Sequence, residues 1–197
     1  MDLIARIHRH FSDSAQAKLD AVEALAAPLA GAVELMAATL LGNGRILACG
    51  NGGSAADAQH FAAELVGRFE MERQGLAAIA LTTDSSILTA VSNDYGFDEV
   101  FARQVRALGR SGDLLLAIST SGNSPNVVGA VRAAHDNGLS VVALTGRGGG
   151  EIGRMLRDFD VHLCVPSERT ARIQEIHTLA IHCLCDGIDC FLLGVEE

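Results

Sequence analysis

Two pairs of polar side chains, far apart along the chain, have the residue types and spacing of metal ligands or of acid and base groups. His60 and Glu64 are four residues apart in a segment of helical periodicity, so they share one helix face with about 6 Å between their Cβ atoms. Gln174 and His182 are eight residues apart in another helical segment, which puts them within about 80° of each other around its axis. Two imidazoles, a carboxylate and an amide oxygen suit zinc. A solvated His/Glu pair and a histidine packed in an apolar helix are the ordinary alternatives.

A cluster of hydroxyl groups follows the third apolar segment, in the run ISTSGNSPN. It contains Ser119, Thr120, Ser121 and Ser124, and the order Ser124-Pro125 is typical of a helix N-terminus. Hydroxyls and backbone amides at such a terminus can hold a phosphate monoester without a lysine. A hydrophilic turn is the alternative, but four hydroxyls in six positions exceed what a turn requires.

A glycine-rich run, CGNGGSAAD, follows the first apolar segment. Its glycines allow a ligand to approach the backbone, and Ser54 with Asp57 has the pattern of a capping box that opens a helix. A simple tight turn remains an open interpretation. The run also fits the dinucleotide fingerprint GxGxxG/A, but the second apolar segment ends at Asp84, roughly ten residues too late for the acidic residue that holds the ribose. A nicotinamide site is therefore disfavoured.

Two further polar features have open interpretations. Asn93 and Asp94 end a helical stretch, where they either offer polar groups to a ligand or belong to a helix-terminating turn. His177 lies in an apolar helical segment, and its spacing suits a packing role.

The elements that must position these groups follow a regular alternation. Five short apolar segments predict strands, and helical patterns lie between them; the strands are expected at 46–49, 77–81, 114–118, 141–144 and 161–165, and the helices at about 54–69, 85–108, 124–136, 150–157 and 170–193. Such alternation predicts an α/β fold with a five-stranded parallel sheet covered on both faces. Residues 2 to about 42 predict two helices that meet near Pro28 and Gly31. We expect one domain, 1–197, with an N-terminal helical extension over about 1–42.

Composition excludes several classes of function. A formal charge of −9 gives no electrostatic footprint for direct nucleic-acid binding. The single lysine, Lys18, leaves no P-loop or Schiff-base lysine elsewhere. The longest uninterrupted apolar runs fall short of the roughly 20 residues of a membrane span, and the five cysteines include no CxxC pair, so we expect a cytoplasmic protein with reduced thiols.

Taken together, these residues resemble the sugar isomerase (SIS) domain family and, within it, the bacterial phosphoheptose isomerases. The resemblance covers essentially the whole chain and rests on the blocks CGNGGSAADAQHFAAEL (49–65), LTTDSSILTAVSNDYGF (81–97), AISTSGNSPNV (117–127), ALTGRGGGE (143–151) and RIQEIHTLAIHCLCD (172–186). It implies a single SIS domain with a flavodoxin-like, three-layer fold. The implied activity is the conversion of sedoheptulose 7-phosphate to D-glycero-D-manno-heptose 7-phosphate, early in heptose synthesis for lipopolysaccharide.

The resemblance also implies roles for individual residues. One Zn²⁺ per subunit would be held by His60, Glu64, Gln174 and His182, with Glu64 and His182 as the acid/base pair. The phosphate would lie on Ser119, Thr120, Ser121 and Ser124, and the sugar chain would be lined by Asn51, Gly52, Gly53, Glu64, Asn93, Asp94 and Gln174. Members of the family are homotetramers with active sites between subunits, so the helix after the glycine run and the C-terminal helix would meet from different chains.

A neighbouring subfamily offers the alternative function. It consists of tetrameric SIS proteins that associate with the replication initiator DnaA, and it is similar to this chain at RALG (106–109) and at ARIQEIH...CLCD (171–186). That resemblance suggests a subfamily that has lost metal-site positions, whereas Glu64 and His182 are both present here. Their presence favours the isomerase over a non-catalytic partner protein or a phosphosugar-binding regulator.

Overall fold

Five parallel strands form a single sheet in a computed structural model that describes residues 1–194. The strands are β1 (Ile46–Gly50), β2 (Ala78–Ala80), β3 (Leu114–Ser119), β4 (Ser140–Gly146) and β5 (Val161–Val165), in the order β2-β1-β3-β4-β5. This order is the flavodoxin-like one, and the chain reverses direction across the sheet between β1 and β3. The predicted α/β fold with a five-stranded parallel sheet is confirmed.

Seven helices cover the two faces of the sheet. They are α1 (Leu3–Leu41), α2 (Gly53–Val66), α3 (Ser85–Tyr95), α4 (Val100–Leu108), α5 (Pro125–Asp136), α6 (Gly150–Met155) and α7 (Thr170–Leu193). Alternate strand residues point to opposite faces: Ile46 and Leu114 pack with α1, α2 and α7, while Leu47 and Leu115 pack with α4, α5 and α6. The sheet thus lies between two apolar cores, which makes a three-layer domain.

Helix α1 is a single helix of 39 residues, so the predicted break near Pro28 is wrong. Pro28 lies inside the helix, where its missing N–H removes one backbone hydrogen bond. Buried side chains flank the proline on both sides, with Leu25 before it and Ala32 and Met36 after it. Packing against α7 therefore continues across Pro28, and it outweighs the cost of the backbone hydrogen bond that the proline removes.

Two other local predictions are corrected. The helical pattern over 85–108 is divided, because Gly96 has φ of 93° and ends α3 before α4 begins. The capping box is absent: Gly52 is the N-cap of α2, its N-terminus has no side-chain cap, and Ser54 lies buried inside the helix. Asp57 instead accepts a hydrogen bond from Thr178 of α7.

Among the described residues, two helices, α1 and α7, are long and apolar enough to cross a membrane by length and composition alone. The expectation drawn from uninterrupted apolar runs missed them, because isolated polar residues interrupt both helices. In the most apolar window of α7, 44% of the residues are buried, and in that of α1, 22%. The apolar face of α7 packs between the sheet and α1, so core packing accounts for its composition.

Candidate active site

The glycine-rich and serine-rich loops lie side by side at the carboxyl edge of the sheet. They follow β1 and β3, which are neighbours at the point where the strand order reverses, the usual ligand position in such sheets. Asn51 and Asn126 join the two loops through a reciprocal pair of amide hydrogen bonds, each 2.8 Å long. The two candidate binding loops therefore form one surface.

The serine loop is held by its own hydroxyl groups. The Oγ atoms of Ser119 and Ser124 are 3.0 Å apart and share a hydrogen bond, and Ser121 Oγ accepts from the backbone N–H of Asn123 at 3.2 Å. Ser124 is the N-cap of α5 and Pro125 its first residue, as predicted, although the Ser124 side chain does not cap the helix. Thr120 and Ser121 are half-buried at the loop surface. The loop thus offers several hydroxyl groups as candidate ligands of a phosphate.

A third segment, 147–152, braces the serine loop; its glycines belong to the ALTGRGGGE block, for which no role was predicted from the sequence. The N–H of Ile152 donates to Gly122 O at 2.9 Å, and the N–H of Glu151 donates to Asn123 Oδ1 at 2.8 Å. Gly122 has φ of 65°, and a Cβ at this position would collide with the carbonyl oxygen of Gly149. The run of three glycines at 148–150 was the available signal.

Helices α2 and α7 pack side by side in the same direction, and their contacts follow one register. Gln174 lies against Gly53 at the start of α2. One turn further on, Thr178 Oγ1 donates to Asp57 Oδ1 at 3.1 Å. The rings of His60 and His182 meet after one more turn. The two helices therefore meet within one chain, and a second chain is not required to bring them together.

Three of the four predicted metal ligands are neighbours in this packing. His60 Nε2 lies 3.1 Å from Glu64 Oε1, and the His60 and His182 ring centroids are 5.0 Å apart at an interplanar angle of 85°. Two ligand atoms on one tetrahedral zinc are roughly 3.3 Å apart, and two ligating imidazoles have centroids roughly 5 Å apart. The mixture of nitrogen and carboxylate donors suits zinc and both distances are compatible with it, while the 3.1 Å contact is in this structure a hydrogen bond or ion pair between the two side chains.

The four predicted ligands are not arranged as a metal site in this structure. Among residues 1–194, no three His, Cys, Asp or Glu side chains are grouped closely enough to hold an ion. Gln174 stands beside Gly53, two helical turns from His182. The structure therefore brings His60, Glu64 and His182 together and leaves Gln174 nearer the loops.

A segment after α2 covers His182. The Phe69 ring lies 5.6 Å from the His182 ring, centroid to centroid. Arg73 anchors this segment, because it forms a buried ion pair with Asp189 at 2.5 Å and donates to the backbone oxygen of Glu64 at 2.9 Å. Sequence reasoning missed Phe69 and Arg73, which carry no motif.

The remaining candidates are placed apart from this cluster. Asn93 and Asp94 are exposed at the end of α3 and bond each other at 2.8 Å, with no hydrogen bond to either loop in the described chain. His177 is fully buried, its Nε2 lies 3.0 Å from Thr145 O, and burial lowers its pKa to about 4. Its surroundings are those of a packed core residue.

Comparison with known proteins now assigns the chain to a family. The SIS domain family matches residues 10–146. A phosphoheptose isomerase of Azoarcus sp. strain BH72 is 72% identical over 197 residues, covering 100% of both chains. The chain belongs to the phosphoheptose isomerase family. A phosphoheptose isomerase structure from Neisseria gonorrhoeae agrees at 60% identity and a TM-score of 0.91, covering 95% of this chain and 98% of that one.

A second phosphoheptose isomerase structure, from Francisella tularensis, gives a TM-score of 0.93 at 48% identity and covers 96% of this chain and 99% of that one. The SIS match includes both loops and α2 but ends before α7. The phosphoheptose isomerases also cover α7. Likeness to that family therefore extends to the helix that carries Gln174 and His182.

Proposed function

We propose that the chain is an aldose–ketose isomerase that converts sedoheptulose 7-phosphate to D-glycero-D-manno-heptose 7-phosphate, an early step of heptose synthesis for lipopolysaccharide. Its full-length relatives are named phosphoheptose isomerases. The observation that carries the proposal is the packing of α2 on α7, which places His60, Glu64 and His182 together on the helices whose N-termini adjoin the two loops.

The substrate lies with its phosphate on the serine loop, held by Ser119, Thr120, Ser121 and Ser124. Its carbon chain passes over the glycine loop toward His60 and Glu64, in contact with Asn51, Gly52, Gly53 and Gln174. Seven residues of α2 separate Gly53 from His60, which is roughly 10 Å along the axis. An extended seven-carbon chain spans roughly 8 Å. The two lengths are compatible.

Glu64 and His182 form the acid/base pair. The reaction removes one proton from C1 of the ketose, passes through an enediol, and returns a proton to C2 while the C1 hydroxyl becomes the aldehyde. A base must therefore reach both carbons. Glu64 Oε1 faces His60, and Phe69 packs on His182, which limits the access of water to that ring. Binding of the phosphate on the serine loop fixes C1 and C2 against this pair.

We propose one Zn²⁺ per subunit, held by His60, Glu64, Gln174 and His182. The donor set and the two distances that fit a tetrahedral ion support this assignment. Gln174 would complete the set from a position two turns before His182 on α7. Held by these residues, a zinc ion would supply Lewis-acid polarisation of the substrate oxygens during the proton transfer.

We further propose a cytoplasmic homotetramer. An apolar groove of about 280 Å³ lies between α1 and α7, and the first turns of α1 expose Ile4, Ile7 and Phe11. Exposed apolar surface of this kind marks an interface. Light scattering on the purified protein is expected to give the mass of four chains, and a monomeric mass contradicts the assembly.

Incubation with sedoheptulose 7-phosphate, followed by NMR analysis of the products, tests the function. We expect the heptose 7-phosphate aldose to form, a chelator to reduce the rate, and added zinc to restore it. A metal-loaded preparation that produces no aldose contradicts the proposal. Co-precipitation of the replication initiator DnaA tests the alternative, in which the chain is a binding protein without turnover.

A further inference from the structure

A buried carboxylate on α2 has no role in the site described so far. Asp57 is 8% exposed, its Oδ1 accepts from Thr178 Oγ1 at 3.1 Å, and its Oδ2 is buried without a hydrogen-bond partner among the described residues. Burial raises the pKa of Asp57, while the Thr178 hydrogen bond and the charge of His60 lower it. An unsatisfied buried carboxylate oxygen is costly, so its retention calls for a function.

His60 is the group placed to satisfy that oxygen. It lies three residues after Asp57, a spacing at which helical side chains are neighbours. Its Nε2 faces Glu64, while its Nδ1 makes no hydrogen bond in the described part of the chain. A histidine that binds a metal through one ring nitrogen usually donates the other N–H to a carboxylate or carbonyl, which fixes the tautomer and the ring orientation.

We propose that Asp57 is the positioning residue of His60: Asp57 Oδ2 accepts a hydrogen bond from His60 Nδ1–H, which reserves Nε2, the nitrogen 3.1 Å from Glu64 Oε1 in this structure, for the metal ion. This inference rests on the proposed function of His60. Thr178 holds the other oxygen of the carboxylate from α7. Thr178 lies midway between Gln174 and His182, so this hydrogen bond ties α2 to the helix that carries the two partners, while the other carboxylate oxygen, Oδ2, is the one that faces His60.

A purely structural role makes a different prediction. If Asp57 only joins α2 to α7, its loss and the loss of Thr178 have similar effects, because both remove one interhelical hydrogen bond. If Asp57 positions His60, Asp57→Asn retains an acceptor for Thr178 and removes a desolvated charge, so the fold keeps its stability while Nδ1–H of His60 loses its acceptor. Thr178→Val is then the matched control.

The decisive measurement is ¹⁵N NMR of the histidine rings in the metal-free, full-length protein. We expect Nδ1 of His60 to carry a proton in the wild type and to lose it in Asp57→Asn, whose amide NH2 would donate to Nδ1. Zinc affinity, measured by competition with a chromophoric chelator, is expected to fall 10- to 100-fold in Asp57→Asn. It should change less than about threefold in Thr178→Val, with thermal midpoints of all three proteins within a few degrees.

A wild-type His60 in the Nε2–H tautomer overturns the inference without any variant, as does unchanged zinc affinity in a folded Asp57→Asn protein. Failure of the proposed function looks different. In that case the wild type neither binds zinc nor forms the aldose, while the ring tautomer of the metal-free protein still reports whether Asp57 holds His60.

Discussion

The two halves of the candidate site are built in contrasting ways. The serine loop takes its shape from backbone geometry, since Gly122 leaves no room for a Cβ and three neighbouring glycines follow β4. The His60 cluster is built from side chains on two helices, where each functional group occurs once. A loop of the first kind should tolerate the loss of one hydroxyl but no change of backbone. A cluster of the second kind should fail when one group changes.

The largest effect is expected in the helical half. Glu64→Gln keeps the size of the side chain, removes its capacity to take a proton and weakens a proposed zinc ligand, so turnover at saturating zinc should fall by about 10²- to 10⁴-fold while substrate binding remains measurable. Initial rates of aldose formation and calorimetric titration with substrate provide the two measurements. Gln59→Ala, at an exposed position of the same helix, is the control. Near-normal turnover by Glu64→Gln rules out its role as acid or base.

The corresponding change in the loop half is Gly122→Ala. The substitution adds a Cβ at φ of 65° against the carbonyl of Gly149, so it should lower the free energy of unfolding by about 3 kcal/mol and abolish saturation with substrate. Gly148→Ala is the matched control, because φ is 71° there but nothing lies within 4 Å of the added atom. Equal losses of stability in urea titrations of the two variants contradict the close packing of the loops.

His177 connects the two halves, because it lies on α7 and bonds to Thr145 on the strand that leads into the bracing loop. Its pKa is lowered to about 4 in the folded chain, so the unfolded chain binds the extra proton first as pH falls. The contribution of His177 to the free energy of unfolding is therefore fully present above about pH 6.5, and about 3 kcal/mol of it is lost as pH falls to about 4. Urea unfolding at pH 7 and pH 4.5 measures the loss. His177→Gln should reduce that difference, and an equal pH dependence in the variant assigns it to other groups.

The smallest effect is expected from the hydroxyls themselves. Ser121→Ala combined with Ser124→Ala removes two donors of about 1 kcal/mol each, so KM should rise about 10- to 30-fold with little change in kcat. Steady-state kinetics with sedoheptulose 7-phosphate separates the two constants. Ser111→Ala, at an exposed turn before β3, is the control. An unchanged KM in the double variant places the phosphate elsewhere.

Sequence reasoning predicted the features that depend on local pattern. Apolar runs gave the five strands, and Ser124 with Pro125 gave the start of α5. It failed where tertiary contacts outweigh local preference. Pro28 lies inside α1 because residues on both sides of it are buried. Ser54 is buried in α2 and does not cap that helix.

For the site, the spacing of residues within one helix predicted which side chains are neighbours, whereas the number of residues between two helices did not. His60 and Glu64 lie together because i and i+4 residues share a face. The meeting of His60 with His182 depends on the register of α2 against α7, which is set by interhelical contacts such as Gln174 against Gly53. Asp57 was misread for the same reason, since its partner Thr178 is 121 residues away.

The paired amides of Asn51 and Asn126 have a mechanical consequence. Each side-chain amide donates one hydrogen bond to the other and accepts one from it, and Asn126 is almost completely buried. A displacement of either loop must therefore break both of these hydrogen bonds or displace the other loop as well. Binding of an anion to the serine loop should therefore also restrict the motion of the glycine loop. Hydrogen–deuterium exchange is then expected to slow at residues 50–53 even when the anion contacts only residues 119–126.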